Sequence, residues 1–148
     1  MRASTTTAAA CLLALLPLLG ACADSQETYC AAVEDHQEEL TRITTDGERD
    51  SLLRALEIFQ DLESKAPGDV TDEWQQVVGR IEDLDEALRA ADVDPATYDP
   101  KSPPADLGDD DKARIDAAAR ELGSETTQRA FRDLQQQARD VCHTPLSL

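Results

Sequence analysis

Seven apolar residues in the middle of the chain fix the kind of fold open to it. Val70, Trp74, Val77, Ile81, Leu84, Leu88 and Ala91 follow one another at spacings of 4, 3, 4, 3, 4 and 3 residues. A period near 3.6 gathers all seven on one side of a helix, whereas a strand sends successive residues to opposite faces. A stripe of this length has to be covered, and helices carrying stripes of their own are what covers it. Asp69 or Thr71 is expected to cap the start of this helix. Gly79 falls inside it, where glycine costs about 1 kcal/mol relative to alanine, and is expected to let a neighbouring helix come close.

Matching stripes occur on both sides. Tyr29, Val33, His36, Leu40 and Ile43 predict a first helix from about Gln26 to Thr44, with Ser25 as its N-cap and Asp46-Gly47 as its break. Leu52, Leu56, Phe59 and Leu62 predict a second, from about Glu48 to Lys65, stopped by Ala66-Pro67-Gly68. Residues 92–108 hold Pro95, Pro100, Pro103 and Pro104 and are expected to form an irregular connection. A helix from about Asp109 to Leu122 follows, with Asp109, Asp110 and Asp111 at its positive end. Gly123 suits the position after that helix. Ser124 then caps a last one, to about Val141, striped by Thr127, Phe131, Leu134, Ala138 and Val141 and ended before Pro145.

Seven acid-then-base pairs four residues apart fit solvated helix faces: Glu38 and Arg42, Asp50 and Arg54, Asp61 and Lys65, Asp85 and Arg89, Asp110 and Arg114, Asp116 and Arg120, Glu125 and Arg129. No segment alternates with period two. The expected fold is an all-α bundle of four to five helices.

The N-terminus carries a different signal. After Met1-Arg2 an apolar run, Ala8 to Leu19, ends in Leu19-Gly20-Ala21-Cys22. It is shorter than the roughly 20 apolar residues of a membrane span and contains Pro17. Small residues beside a scissile bond are what a membrane-embedded peptidase can accommodate. On these residues the first part of the chain resembles a bacterial lipoprotein precursor, with Leu19-Gly20-Ala21-Cys22 as the lipobox. The resemblance implies removal of residues 1–21 as a signal peptide and acylation of Cys22. It also implies anchorage to the extracytoplasmic face of the cell membrane. Residues 22–25 would be the lipidated Cys and a short tether, and residues 26–148 the helical domain. A plain signal peptide cut elsewhere, leaving Cys22 as a free thiol, is the alternative. The body resembles helical lipoproteins of actinobacteria, which lend it no activity.

Cys11 leaves with such a leader and Cys22 takes the lipid. Cys30 and Cys142 remain, near the two ends of an exported domain, and are expected to form a disulfide that ties the first helix to the last. The competing arrangement is a metal site from Cys30, His36, Cys142 and His143. It lacks any CxxC spacing, and the adjacent Cys142 and His143 do not converge easily on one tetrahedral ion.

Without its leader the chain has a formal net charge of −18, against −17 for all 148 residues, because Arg2 is lost. Such acidity opposes binding to nucleic acid or anionic lipid through bare electrostatics. The excess is uneven: residues 22–108 carry 23 acids and 7 cations, residues 109–148 carry 8 and 6. Glu34, Asp35 and Glu38 leave the first helix off its stripe, and Asp72, Glu73, Glu82, Asp83 and Glu86 leave the third. Together they are the expected partner face, suited to steering in a basic protein segment or to gathering divalent cations near the membrane; a solvated face that prevents aggregation is the other reading.

Catalytic patterns are missing: no GxSxG, HExxH, phosphate loop, Glu-x-x-His pair or calcium loop. The residues therefore point to a non-enzymatic, lipid-anchored envelope protein that needs no cofactor and works as an interaction module. The alternative is a helical lipoprotein holding a small solute or metal, which needs a cavity near Trp74 or the proline loop. An enzyme with an unrecognised carboxylate site is a third. His36 is expected at the core boundary with one hydrogen bond. Tyr98 is expected to clamp the loop onto the bundle or to offer its ring to a ligand.

Overall fold

The computed structural model describes residues 20–147, with side chains from Ser25 onward. Residues 1–19 of the expected leader, with Leu19 of the expected lipobox, lie outside the described residues, as does the side chain of Cys22. Every regular element is helical: α1 (Gly20–Asp46), α2 (Ser51–Arg54), α3 (Leu56–Lys65), α4 (Thr71–Ala90), α5 (Asp109–Leu122) and α6 (Glu125–Gln137), which runs into a π-helical turn, Ala138–Cys142. None is long and apolar enough, among the described residues, to cross a membrane.

Packing is a ring of four. α1 lies against α3 and against the π turn, and α4 lies against α3 and α6; α1 and α4 share no such contact and are therefore diagonal. α5 sits outside the ring, on α4. At the centre Trp74 is 0% exposed. Its indole Nε1 donates to Tyr29 Oη at 3.0 Å across the diagonal, and its ring meets Tyr29 edge-on at 6.4 Å and Phe59 at 5.8 Å between centroids. Val33, Leu40, Leu62, Val77, Ile81 and Leu134 complete the buried interior. The Cys30–Cys142 disulfide joins α1 to the π turn over a separation of 112 residues. Leu146, beyond the expected stop at Pro145, turns back into the core, and Ser147 Oγ meets Thr41 Oγ1 at 2.8 Å.

The helix ends differ from expectation where backbone geometry outranks side-chain caps. α1 starts at Gly20, so Ser25 is inside it and residues 22–25 are helical backbone. Val70, not Asp69 or Thr71, occupies the N-cap of α4, with no side-chain cap; Thr71 instead bonds back to the Pro67 carbonyl. The second helix divides at Ala55, though the bonds from Ala55 N to Ser51 O and Phe59 N to Ala55 O carry across the division. α4 ends in a left-handed Asp92 (φ 54°), with Val93 N on Leu88 O and Asp92 N on Arg89 O, the paired bonds of a Schellman cap. Gly123 is not left-handed (φ −81°), while Ser124 does accept from Thr127 N, as expected.

Of the seven expected ion pairs, Asp61–Lys65 and Asp85–Arg89 form. Arg42 turns to Glu39, Arg54 to Asp46 and Glu48, Arg114 to Asp111, and Asp116 to Lys112. For Arg42, Arg114 and Asp116, partners three and four residues away are both within reach on a helix surface and differ by tenths of a kcal/mol; Arg54 instead reaches back across the turn before α2.

A side chain at Gly79 would meet nothing within 4 Å, so this glycine serves no close approach. Gly79→Ala is therefore expected to stabilise the domain by about 1 kcal/mol, read from the urea midpoint at unchanged slope. An unchanged midpoint would count against this helix geometry.

Burial pushes the Tyr29 hydroxyl up to about 12; the bond from Trp74 works against the shift and the charge of Asp69 adds to it. An unfolded tyrosine ionises near 10. Stability contributed by neutral Tyr29 is thus full below about pH 10 and falls as pH rises through the folded value, by about 2–3 kcal/mol in all. Urea unfolding at pH 9 and pH 11.5 should show this fall in the parent and a smaller one in Tyr29→Phe. Equal falls would contradict it.

Candidate functional site

The acids singled out from the sequence do not come together. Those of α1 and α4 point away from the core on diagonal helices, so they face opposite sides of the bundle. The reason is packing order: α3 and α6 each take a place between α1 and α4, and adjacency along the chain did not reveal this. Glu34 and Glu38 are exposed on the outer side of α1, and Asp35 borders the groove between α1 and α3. Asp72 and Glu73 border the opposite groove, between α4 and α6, beside Arg129 and Asp133. Asp83 is bound by Arg80 at 2.7 Å.

Glu82 and Glu86 form part of something larger. Between α3 and α4 runs an open cleft of about 740 Å³, lined by Leu56, Glu57, Gln60, Glu82, Asp85, Glu86, Arg89 and Ala90. The stripes place these residues: Leu56 is buried in the core and Leu88 is buried on the flank of α4 that faces α5, which leaves the next positions round each helix to form the facing walls. Four of the lining groups are carboxylates. Arg89, the cation of the wall, is held by Asp85 at 2.9 Å. Gln60 Nε2 donates to Glu82 Oε1 at 2.7 Å, fixing that carboxylate on the cleft wall. One turn further along α3, burial and then the charge of Glu82 hold the Glu63 carboxyl above the usual range. Negative charge here is thus incompletely balanced. Glu57 and Asp85 were not among the acids of the face expected from sequence, and the amide of Gln60 was not expected there either. Glu57 is legible as an off-stripe acid, but its facing Glu82 depends on which helices are neighbours.

The groove between α1 and α3 is different. His36 is partly buried there, with Nε2 2.9 Å from Asp61 Oδ2, the single hydrogen bond expected of it. Lys65 also binds Asp61, and the two partners, Lys65 first, hold that carboxyl below the usual range. Asp61 is thus compensated within this groove, while Glu27 and Asp35 line it as well, so its negative excess is smaller than that of the α3–α4 cleft but not absent. Both Cys30 and Cys142 are consumed by the disulfide, so neither is a thiolate ligand for a metal with His36 and His143. Among the described residues, no group of three or more His, Cys, Asp or Glu is placed to hold an ion.

The proline loop is ordered by two successive turns of the same kind. In Asp94-Pro95-Ala96-Thr97 the Asp94 carboxylate accepts from Ala96 N at 3.0 Å; in Asp99-Pro100-Lys101-Ser102 the Asp99 carboxylate accepts from Lys101 N at 2.9 Å. Aspartate at the first position and proline at the second are what such turns favour. Tyr98 sits between them, and Arg49 reaches its carbonyl at 3.4 Å from the start of α2. Arg49 thus ties the loop to the bundle through the Tyr98 backbone. The chain matches no family model, no curated protein and no solved structure.

Proposed function

We propose that this chain is a lipid-anchored protein of the cell envelope, carried on the extracytoplasmic face, and that it works by holding a basic protein segment in the cleft between α3 and α4. One observation carries the binding role: Glu57, Glu82 and Glu86 line a concave surface whose one lining cation is already bound by Asp85. A Lys- or Arg-rich segment laid there gains attraction from three carboxylates and relieves their mutual repulsion. The address rests on the lipobox and is supported by the Cys30–Cys142 disulfide, a bond that persists in oxidising compartments. A diacylglycerol on Cys22 supplies the two acyl chains that stable anchorage takes.

Two results are expected. Cys22→Ala should move the protein from the membrane pellet to the soluble or secreted fraction; retention in the pellet after a high-salt wash would contradict the anchor. Affinity capture from native envelopes should recover a partner near 50 mM salt and lose most of it near 500 mM, where exposed charges are screened within a few ångström. Capture that ignores salt would contradict a charge-led cleft.

A further inference from the structure

A second concavity lies on the far side of α4, and its character is the reverse of the acidic cleft. A half-open space of about 370 Å³ lies beneath the proline loop, lined by Leu53, Leu84, Leu88, Ile115, Leu122 and Tyr98, among others. Leu88 and Ile115 are buried, yet neither belongs to the main core; they border this space instead. The volume is in the lower range of small-molecule sites, which are mostly apolar with few polar groups.

The polar groups at its edge are largely spent. Asp116 is bound by Lys112, and Arg49 is turned to the Tyr98 carbonyl and toward Asp99 at 3.9 Å. An ionic ligand would find no uncommitted counter-charge there. The Tyr98 hydroxyl is the exception: it is buried and has no hydrogen-bond partner among the described residues. An unpaired buried hydroxyl is costly, and an acceptor brought to it recovers that cost. The two Asp-Pro turns hold the tyrosine at the edge of the space with its hydroxyl covered, so a small shift of the ring is what brings the oxygen to an acceptor there.

We propose that the cavity beneath the proline loop binds an uncharged, largely apolar molecule of one- or two-ring size whose oxygen accepts a hydrogen bond from Tyr98. This is independent of the acidic cleft, which lies against the opposite flank of α4.

Benzophenone is a suitable probe. It is uncharged, has two rings and a carbonyl acceptor, and under near-ultraviolet light inserts into C–H bonds within reach. The full chain in detergent is irradiated over a concentration series, and the attachment sites are read by peptide mass spectrometry. Saturable labelling concentrated in residues 84–88 and 115–122 is expected. Tyr98→Phe, which keeps the ring, should raise the half-saturating concentration about fivefold. Leu84→Trp should abolish the saturable labelling while circular dichroism remains helical; Ala119→Phe, changed from the exposed side of α5, repeats the block should Leu84→Trp not fold. Labelling that never saturates or is spread evenly over the chain overturns the proposal. So does an unchanged half-saturation in Tyr98→Phe, or undiminished labelling in a folded filling variant.

Discussion

Replacing Cys30 and Cys142 together by alanine is expected to lower the stability of the domain by about 4–5 kcal/mol while leaving its helical content near that of the parent. The bond closes a separation of 112 residues, almost the whole described domain. In the chain-entropy model, freeing a loop of that length returns about this much to the unfolded state. Since small domains are stable by only about 5–15 kcal/mol in total, the variant should be folded at room temperature and marginal on warming. The helices remain because their stripes, not the bond, bury the core. Far-ultraviolet circular dichroism at 20 °C and urea unfolding separate the two effects. A variant with the parent's midpoint would mean that Leu146 and the Ser147–Thr41 contact already hold the ends together without the bond. Loss of helix at 20 °C would mean that the core cannot carry the fold.

Trp74→Ala is the other substitution expected to cost heavily, about 3–5 kcal/mol, the range for deleting a large aromatic side chain from a core. Trp74 joins three helices at once, since it meets Tyr29 on α1 and Phe59 on α3 from its own place on α4. Its removal leaves a cavity and takes the hydrogen bond from the Tyr29 hydroxyl, which is buried with it. Trp74→Phe should cost clearly less, because it keeps most of the packing and loses mainly the bond. The unfolding has to be followed by circular dichroism, as Trp74 is the single tryptophan of the chain. Equal costs for the two substitutions would show that the hydrogen bond, rather than packed area, dominates this position.

The stripes made the helices legible, because a 3.6-residue period leaves no other regular structure to choose. Asp109–Leu122 is observed at its expected bounds, and the stripe from Val70 to Leu88 lies on α4. The pairing of Cys30 with Cys142 was equally open to reading, since setting aside Cys11 and Cys22 as the expected leader and lipid positions left two cysteines. What the pattern did not carry was relative placement. Glu34 and Glu82 are both off-stripe acids, yet α3 and α6 separate their helices, so they end on opposite sides. Glu57 became a site residue only because α3 packs beside α4. The left-handed Asp92 closes α4 without the glycine that usually marks such an end, so no residue type announced it. The double Asp-Pro turn could have been found from the repeated Asp-Pro with Thr or Ser two places on, a pattern obscured by the proline count around it.

The separation of the two acidic surfaces allows a direct test of which one meets a partner. One variant, Glu57→Gln with Glu82→Gln and Glu86→Gln, neutralises the α3–α4 cleft; another, Glu34→Gln with Asp35→Asn and Glu38→Gln, removes equal charge from α1. Both are captured from native envelopes beside the parent at about 50 mM salt, where surface charges still act over roughly 14 Å, and co-purified proteins are quantified by mass spectrometry. The cleft variant should lose most of the salt-sensitive partner and the α1 variant should keep it. Undiminished capture by the cleft variant, or equal loss in both, would contradict the assignment of the partner to the cleft between α3 and α4.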